Sequence, residues 1–242
     1  TVLIPMAGAG SRFEKEGYLL PKPLIDVEGR PMIEDIVENL DIEANFIYVV
    51  QKTHREKFNL DGLLTMLTPN CKIVEVDELT EGAACTALLA KELINTDTPL
   101  LFANSDQFCL WNVEQFMNEM KETNADGGIV TFKASHPKWS FAKVNNDGII
   151  TEVAEKKPIS NIATAGIYYF KHGKDFVWAA EQMIEKNIRF NNEFYYAPAF
   201  NEMIGKQKRI YSYPAAEMRS MGTPEDVSKF ITNSNKTIST ES

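Results

Sequence analysis

Two short loops near the start of the chain carry the residue types that bind phosphate groups. The run Met6-Ala7-Gly8-Ala9-Gly10-Ser11-Arg12 follows the apolar segment Val2 to Ile4, and Pro21-Lys22-Pro23-Leu24 comes shortly after it. Small residues let backbone N–H groups approach a phosphate closely, and the guanidinium of Arg12 neutralises phosphate oxygens through paired hydrogen bonds. Lys22 supplies a second, more mobile positive charge. The two loops together predict a site for a polyphosphate.

The first loop differs from the two best-known glycine-rich phosphate motifs. It lacks the Gly-Lys-Ser/Thr ending of a P-loop, which argues against a Walker-type ATPase. It also lacks the third glycine of the dinucleotide motif, because Phe13 stands at that position. A tight strand-to-helix turn followed by a proline-rich surface loop is the structural alternative for the same residues. The presence of both loops favours the nucleotide site.

Two later segments place further polar groups after apolar strands. Asn104-Ser105-Asp106 directly follows Leu100 to Ala103, where a carboxylate can hold Mg²⁺ against phosphate oxygens. A turn or helix cap is the alternative role for Asp106. Thr80-Glu81-Gly82-Ala83 opens an alanine-rich helix whose N-terminus offers unpaired N–H groups. A simple N-cap by Thr80 is the alternative there.

A charged pair precedes the strand Ala163 to Phe170. Glu155 and Lys156 stand within the run Glu152 to Pro158. Such a pair at a strand end is usually a solvated charge run. The histidines His54, His136 and His172 show no metal-ligand spacing, and no Gly-x-Ser-x-Gly elbow marks a serine nucleophile.

Composition restricts the class of protein. The 242 residues include 44% hydrophobic and 24% charged residues, as is ordinary for a globular protein. A formal net charge of −9 argues against a nucleic-acid partner, and it requires any site for anionic substrates to be locally basic. The three cysteines predict reduced core residues, and no apolar run approaches transmembrane length. We therefore expect a soluble cytoplasmic protein with no nucleic-acid or membrane partner.

The pattern of elements shows how these residues are positioned. Strand-type and helix-type segments alternate in the first half, which predicts an α/β fold with a largely parallel sheet covered on both faces. The loops after Ile4, Val76 and Ala103 would then meet at the carboxyl edge of the sheet, where such folds bind ligands. The second half is mixed, with a hairpin predicted at Asn146-Asp147-Gly148. The predicted helices cover 31–40, 54–67, 82–94, 113–120, 175–186, 198–204 and the residues from 224 onward.

The ordered set of motifs resembles the sugar-phosphate nucleotidylyltransferases, also called nucleotide-diphospho-sugar pyrophosphorylases. The likeness runs from Val2 to about Ile231 and ends in Gly222-Thr223-Pro224-Glu225-Asp226. It implies a three-layer αβα Rossmann-like fold with a mixed, mainly parallel central sheet. We expect one nucleotidyltransferase domain over residues 1–232. Residues 233–242 are polar and predict a tail or linker.

The resemblance also implies a reaction. A nucleoside monophosphate passes from a nucleoside triphosphate to a sugar 1-phosphate or similar phosphorylated acceptor, and pyrophosphate is released. Such enzymes depend on Mg²⁺ and serve nucleotide-sugar, capsule or lipopolysaccharide biosynthesis. Arg12, Lys22 and Asp106 become the catalytic residues, with Asp106 as the metal ligand.

Binding residues follow from the same resemblance. The nucleotide contacts are expected from the Met6–Ser11 loop, the Thr80–Ala83 segment and Ser105. The acceptor contacts are expected from Glu155, Lys156 and Gly166, with the Glu accepting hydrogen bonds from sugar hydroxyls and the Lys meeting the sugar phosphate.

Three departures leave the substrates open. Thr80 stands where members that use UTP often have Gln, and Ser220 stands where many members have an Asp as a second metal ligand. Trp139-Ser140 stands where an aromatic-Gly pair lines the sugar site. The alternatives are a glycosyltransferase, whose Asp-x-Asp motif Asn104-Ser105-Asp106 fits poorly, a cytidylyltransferase acting on a non-sugar phosphate, and a non-catalytic nucleotide-binding relative. The sequence leaves the oligomeric state open.

Overall fold

A nine-stranded mixed sheet with helices on both faces forms the centre of the fold. The computed structural model describes residues 1–238, with side chains through Thr232. The strands are β1 Val2–Pro5, β2 Asp26–Val27, β3 Arg30–Pro31, β4 Phe46–Gln51, β5 Lys72–Val76, β6 Leu100–Ala103, β7 Gln107–Leu110, β8 Gly127–Lys133, β9 Ser140–Val144, β10 Ile150–Glu155, β11 Ile162–Phe170, β12 Ile210–Pro214 and β13 Glu217–Ser220. The helices are α1 Ser11–Lys15, α2 Met32–Leu40, α3 Lys52–Phe58, α4 Leu60–Leu67, α5 Ala83–Leu88, α6 Lys91–Ile94, α7 Val113–Glu122, α8 Gly173–Glu185, α9 Phe200–Gly205 and α10 Pro224–Ile238.

The order of the strands is β10-β9-β11-β6-β1-β4-β5, and β8 and β12 extend the sheet from the other edge of β11. β1 pairs in parallel with β4 and β6, and β4 pairs in parallel with β5. Only β10 and β11 run against the other strands of this sheet. The prediction of a mixed, mainly parallel sheet is confirmed. Two small ladders, β2–β3 and β7–β13, form separately.

The apolar residues of the central strands divide between the two faces of the sheet. Leu3 belongs to one buried cluster, whereas Val2 and Ile4 belong to the cluster on the opposite face. This alternation is the two-residue period of a strand covered on both faces. A third cluster includes Phe13 and Phe230 and anchors α1 and α10 near the two phosphate-type loops.

A fork in β11 brings the second half of the chain to the carboxyl edge of the parallel strands. One edge of β11 pairs with β9 at Ala163 and with β6 from Ile167 onward. Gly166 lies between them with φ +78°, and its carbonyl accepts a hydrogen bond of 2.9 Å from Asn104 N. Because β9 and β6 share this edge, the β9–β10 hairpin lies beside the loop after β6.

Two helix predictions need correction, and several short elements were not predicted: α1, the β2–β3 ladder and the β7–β13 ladder. The single helix predicted over 54–67 is wrong, because Asn59 adopts φ +49° and separates α3 from α4. The helix predicted over 82–94 is likewise two short helices, since α5 ends before Leu89 and α6 begins at Lys91. The β7–β13 ladder was not predicted, because its strands are short and more than one hundred residues apart.

The remaining predictions on composition have different outcomes. All three cysteines are unpaired, and Cys109 is buried. Among the described residues, every helix is too short or too polar to cross a lipid bilayer. The backbone of α10 runs through Ile238, so residues 233–238 continue the last helix, while 239–242 lie outside the described residues. The division at residue 232 stays a prediction.

Candidate functional site

A cavity of about 740 Å³ opens at the carboxyl ends of β1 and β6. Its size is within the range of small-molecule sites. Segments from distant parts of the chain line it: the loop after β1, the turn at Lys22, the loop after β6, the β9–β10 hairpin, the loop before the 3₁₀ turn Ala197–Ala199, and the start of α10. Of the predicted site residues, eleven line this cavity: Met6, Gly8, Gly10, Ser11, Arg12, Lys22, Ala83, Ser105, Asp106, Glu155 and Lys156.

The loop after β1 is shaped by Gly10. Its φ of +63° places it in the left-handed region, where it precedes α1, and its carbonyl accepts hydrogen bonds from Phe13 N and Glu14 N at 2.9 and 3.2 Å. Phe13 is buried and fixes the short helix against the core. Arg12 is exposed and forms no ion pair with any described residue. The loop therefore presents small residues and a free guanidinium to the cavity.

Lys22 and Asp106 form an ion pair at the end of the cavity that the loop after β1 lines. Lys22 begins a 3₁₀ turn directly after Pro21, and its Nζ forms an ion pair with Asp106 Oδ2. Both side chains are about one-fifth exposed, at 20% and 23%. The backbone carbonyl of Asp106 accepts a hydrogen bond of 2.7 Å from Met221 N, directly after β13, and this bond fixes the backbone at Asp106. Two of the predicted catalytic residues are thus in direct contact across 84 residues of sequence.

A second carboxylate lies close to Asp106. Ser220 Oγ donates to Asp226 Oδ2 at 3.1 Å, and Lys138 Nζ donates to Asp226 Oδ1 at 3.3 Å. A β-carbon on Gly222 would lie 3.3 Å from Asp106 Oδ2 and 3.7 Å from Asp226 Oδ2, so both carboxylates flank this glycine. Within the described residues, no cluster of three or more metal-ligating side chains occurs.

The other end of the cavity is formed by the β9–β10 hairpin. Glu155 is 9% exposed, and one of its oxygens, Oε2, accepts a hydrogen bond from Ser140 Oγ. Burial raises the pKa of Glu155, while the Ser140 hydrogen bond and the charge of Lys156 act in the opposite direction. A carboxylate in this position is a hydrogen-bond acceptor with few competing donors.

Lys156 is held in position beside Glu155. Its φ is +49°, and its Nζ donates to Tyr195 Oη at 2.7 Å while lying 4.0 Å from Glu155 Oε1. The same Nζ lies over the Tyr195 ring, 4.5 Å from the centroid. Tyr195 Oη in turn donates to Glu193. Lys157, the neighbouring lysine, is exposed and does not line the cavity.

Six predicted site residues do not line the cavity: Ala7, Ala9, Thr80, Glu81, Gly82 and Gly166. The Thr80–Gly82 segment instead packs against the loop after α8. A β-carbon on Gly82 would lie 2.5 Å from both Phe194 N and Phe194 O, and Arg189 forms an ion pair with Glu81. Thr80 Oγ1 donates to Gly82 O at 3.0 Å. Gly82 is the residue that precedes α5, and no side chain caps this helix, so the N-cap alternative for Thr80 is wrong.

The lining residues that were not identified from the sequence include Gln107, Lys138, Asn191, Tyr195 and Tyr196. Tyr196 Oη donates to Asn104 Oδ1, so this loop reaches both ends of the cavity. The available signal was compositional, since Asn191 to Tyr196 places polar and aromatic residues together outside any periodic element.

Known proteins share this architecture. The nucleoside-diphosphate-sugar pyrophosphorylase of Vibrio cholerae RC9 superposes with a TM-score of 0.81 at 25% identity, over 96% of this chain and 100% of that chain. The fold is therefore a nucleotidyltransferase fold of the Rossmann-like class, as predicted.

Sequence comparison agrees. The chain is 27% identical over 171 residues to the bifunctional protein GlmU of Methanocaldococcus jannaschii, which covers 69% of this chain and 39% of that protein. It is 28% identical over 183 residues to the mannose-1-phosphate guanyltransferase of Yarrowia lipolytica, covering 69% of this chain and 48% of the relative. The aligned region is thus less than half of these curated relatives. The chain belongs to the nucleotidyl transferase family, whose sequence model matches residues 2–232.

Proposed function

We propose that this protein transfers a nucleoside monophosphate from a nucleoside triphosphate to a sugar 1-phosphate or a similar phosphorylated acceptor, with release of pyrophosphate. The observation that carries the proposal is one cavity lined by Arg12, Lys22, Asp106, Glu155 and Lys156. Cationic groups for phosphates and a buried carboxylate for hydroxyl groups lie in the same space. Membership of the nucleotidyl transferase family and the relatives' names support the same reaction.

The proposed chemistry needs no covalent enzyme intermediate. An oxygen of the acceptor phosphate attacks the α-phosphorus of the triphosphate, and the bond from that phosphorus to the bridging oxygen breaks. The electron pair leaves with pyrophosphate, which carries the negative charge that develops. Arg12 is proposed to bind the β- and γ-phosphates, and Lys22 to neutralise charge at the α-phosphate and the acceptor phosphate. Positioning and charge neutralisation provide most of the catalysis in reactions of this type.

We propose Mg²⁺ as the cofactor. Mg²⁺ prefers oxygen ligands and is usually bound through one or two carboxylates together with substrate phosphates. Asp106 and the nearby Asp226 supply such oxygens, so the residues present fit this ion. Asp106 would hold it, and the ion would shield the charge of the phosphate groups when bound.

The segment from Thr80 to Ala83 is proposed to contact the nucleotide through Ala83, the one member of it that lines the cavity. Glu155 and Lys156 are proposed to bind the acceptor. Gly166 is proposed to act indirectly, because its carbonyl accepts a hydrogen bond from Asn104 N in the loop after β6. The unpaired cysteines fit a reducing compartment, and we propose a cytoplasmic site of action in nucleotide-sugar synthesis for cell-surface polysaccharides.

A matrix assay tests the proposal. The purified chain is incubated with each common nucleoside triphosphate, a panel of sugar 1-phosphates and non-sugar phosphates, and MgCl₂, and pyrophosphate is measured. We expect release that requires both substrates and stops when EDTA removes the metal. Nucleotide binding without pyrophosphate release under any combination would favour a non-catalytic relative. Turnover of a finished nucleotide sugar without pyrophosphate would favour a glycosyltransferase.

A further inference from the structure

The register of the β9–β10 hairpin fixes Ser140 opposite Glu155. The two residues are direct cross-strand partners in the antiparallel ladder, next to the pair Phe141 and Ala154. Directly opposed side chains lie on the same face of a sheet. Ser140 and Glu155 both line the cavity, whereas Phe141 is buried in the core. Their contact is therefore part of the sheet and does not depend on a mobile loop.

The two oxygens of Glu155 are not equivalent. Oε2 accepts a hydrogen bond from Ser140 Oγ. Oε1 accepts no hydrogen bond from any described residue, and Lys156 Nζ, at 4.0 Å, is beyond hydrogen-bond distance. Oε1 is thus the oxygen of Glu155 without a protein hydrogen-bond donor, and it can accept a hydrogen bond from a molecule in the cavity.

We infer that Ser140 determines acceptor specificity: by holding Oε2 of Glu155, it makes Oε1 the preferred oxygen for the hydroxyl groups of the acceptor. The inference deepens the proposed function and rests on it. Two neighbouring hydroxyls of a sugar would bind a free carboxylate through both of its oxygens. With one acceptor site of Oε2 taken and its direction fixed by Ser140, paired binding of two neighbouring hydroxyls is disfavoured. The acceptor class that fits best is a phosphorylated alcohol that donates a single hydroxyl to Oε1.

Removal of the Ser140 hydroxyl should change which acceptor hydroxyls matter. We would measure kcat/KM of the wild-type chain and of Ser140→Ala with glucose 1-phosphate and its 2-deoxy, 3-deoxy and 4-deoxy forms. In the wild type, loss of one hydroxyl position should lower kcat/KM by about tenfold, because that hydroxyl is bonded to a charged group. In Ser140→Ala, an adjacent second position should become equally sensitive. New turnover of the intact sugar phosphate in Ser140→Ala would also support the inference, whereas the same sensitive positions in both proteins would overturn it.

Two control variants separate this role from a structural one. Ser140→Thr keeps a hydroxyl at the same position and should keep the wild-type pattern. Ser160→Ala removes a hydroxyl that donates to Ala142 O on β9 at 2.6 Å, outside the contact with Glu155. Ser160→Ala should therefore affect stability alone. A change of acceptor pattern in Ser160→Ala as large as that in Ser140→Ala would contradict the inference.

A measurement without turnover keeps the two proposals distinguishable. The pKa of Glu155 can be followed by carboxyl carbon NMR in protein labelled at glutamate. The Ser140 hydrogen bond lowers this pKa, so Ser140→Ala should raise it and Ser140→Thr should not. An unchanged pKa in Ser140→Ala overturns the inference even if pyrophosphate is released. A raised pKa without pyrophosphate release from any acceptor supports the contact and rejects the proposed function.

Discussion

The two ends of the cavity are built in different ways. The loop end, comprising residues 5–12 with Lys22 and Asp106, exposes backbone and an unpaired Arg12. The hairpin end, comprising Ser140, Glu155, Lys156 and Tyr195, is a connected set of hydrogen bonds around a buried carboxylate. An end with free donors and charge suits the phosphates common to all nucleoside triphosphates. Both ends contain an ion pair, but only the hairpin end has a buried carboxylate held by a neighbouring strand, so we propose that this end selects the acceptor.

The largest effect is expected at the loop end. Lys22→Ala removes the cation that pairs with Asp106, and it should lower kcat by about 100- to 10,000-fold because developing charge is no longer neutralised. Single-turnover pyrophosphate release would measure this loss.

A matched control for Lys22 exists elsewhere in the chain. Lys208 Nζ also pairs with an aspartate, Asp126, at 3.1 Å, but it does not line the cavity. Lys208→Ala should keep kcat within about twofold, as is usual for an exposed ion pair. Near-normal turnover in Lys22→Ala would remove the loop end from the catalytic site.

A smaller but more selective effect is expected at the hairpin end. Glu155→Gln replaces one acceptor oxygen by a donor, and it should lower kcat/KM for the phosphate acceptor by about 10- to 100-fold. The KM of the triphosphate should change little. If both substrates lose affinity equally, the two ends do not act separately.

The pH dependence sharpens the same comparison. Because burial raises the pKa of Glu155, the wild type should lose acceptor binding as pH falls, and the loss should begin at a higher pH than for an ordinary glutamate. Glu155→Gln has no such group to protonate, so this acidic limb should be absent. An unchanged acidic limb in the variant would assign it to another group.

The packing of Gly82 against the backbone of Phe194, the residue before Tyr195, can be tested by substitution. Phe194 N donates to Glu81 O at 2.8 Å and Ala84 N donates to Phe194 O at 2.9 Å, while Gly82 has φ +124°. A methyl group there would collide with the Phe194 backbone. Gly82→Ala should lower the free energy of unfolding by about 1–3 kcal/mol, measured by urea denaturation.

Gly148→Ala is the control for backbone strain. Gly148 also has a positive φ, +78°, but a β-carbon on it would meet no atom within 4 Å. It should cost less stability than Gly82→Ala, because it adds strain without a collision. Equal losses would show that the contact with Phe194 is unimportant for stability.

The smallest effect is expected for Tyr195→Phe. It removes the hydroxyl that accepts a hydrogen bond from Lys156 Nζ, and should raise the acceptor KM by about 3- to 10-fold. The triphosphate KM should not change. Tyr211→Phe removes a hydroxyl outside the cavity and serves as the control. An effect of Tyr195→Phe on the triphosphate alone would move Tyr195 to the other end of the site.

Local patterns predicted the parts of the fold that depend on neighbouring residues. The apolar segments Val2 to Ile4 and Leu100 to Ala103 form β1 and β6 as predicted, because burial of short apolar runs depends on neighbouring residues. The break at Asn59 was missed, because the apolar spacing continues on both sides of it while a single left-handed residue redirects the chain.

The sequence by itself determined the family, and it predicted the phosphate-type loop and the charged site residues, because these are carried by contiguous motifs. Only the tertiary structure decided which of them touch. Because one edge of β11 pairs with β9 before Gly166 and with β6 after it, the hairpin lies beside the loop after β6. The register of β9 and β10 places Ser140 directly opposite Glu155. Such contacts depend on strand register and on pairing between residues far apart in the chain, which no local spacing encodes.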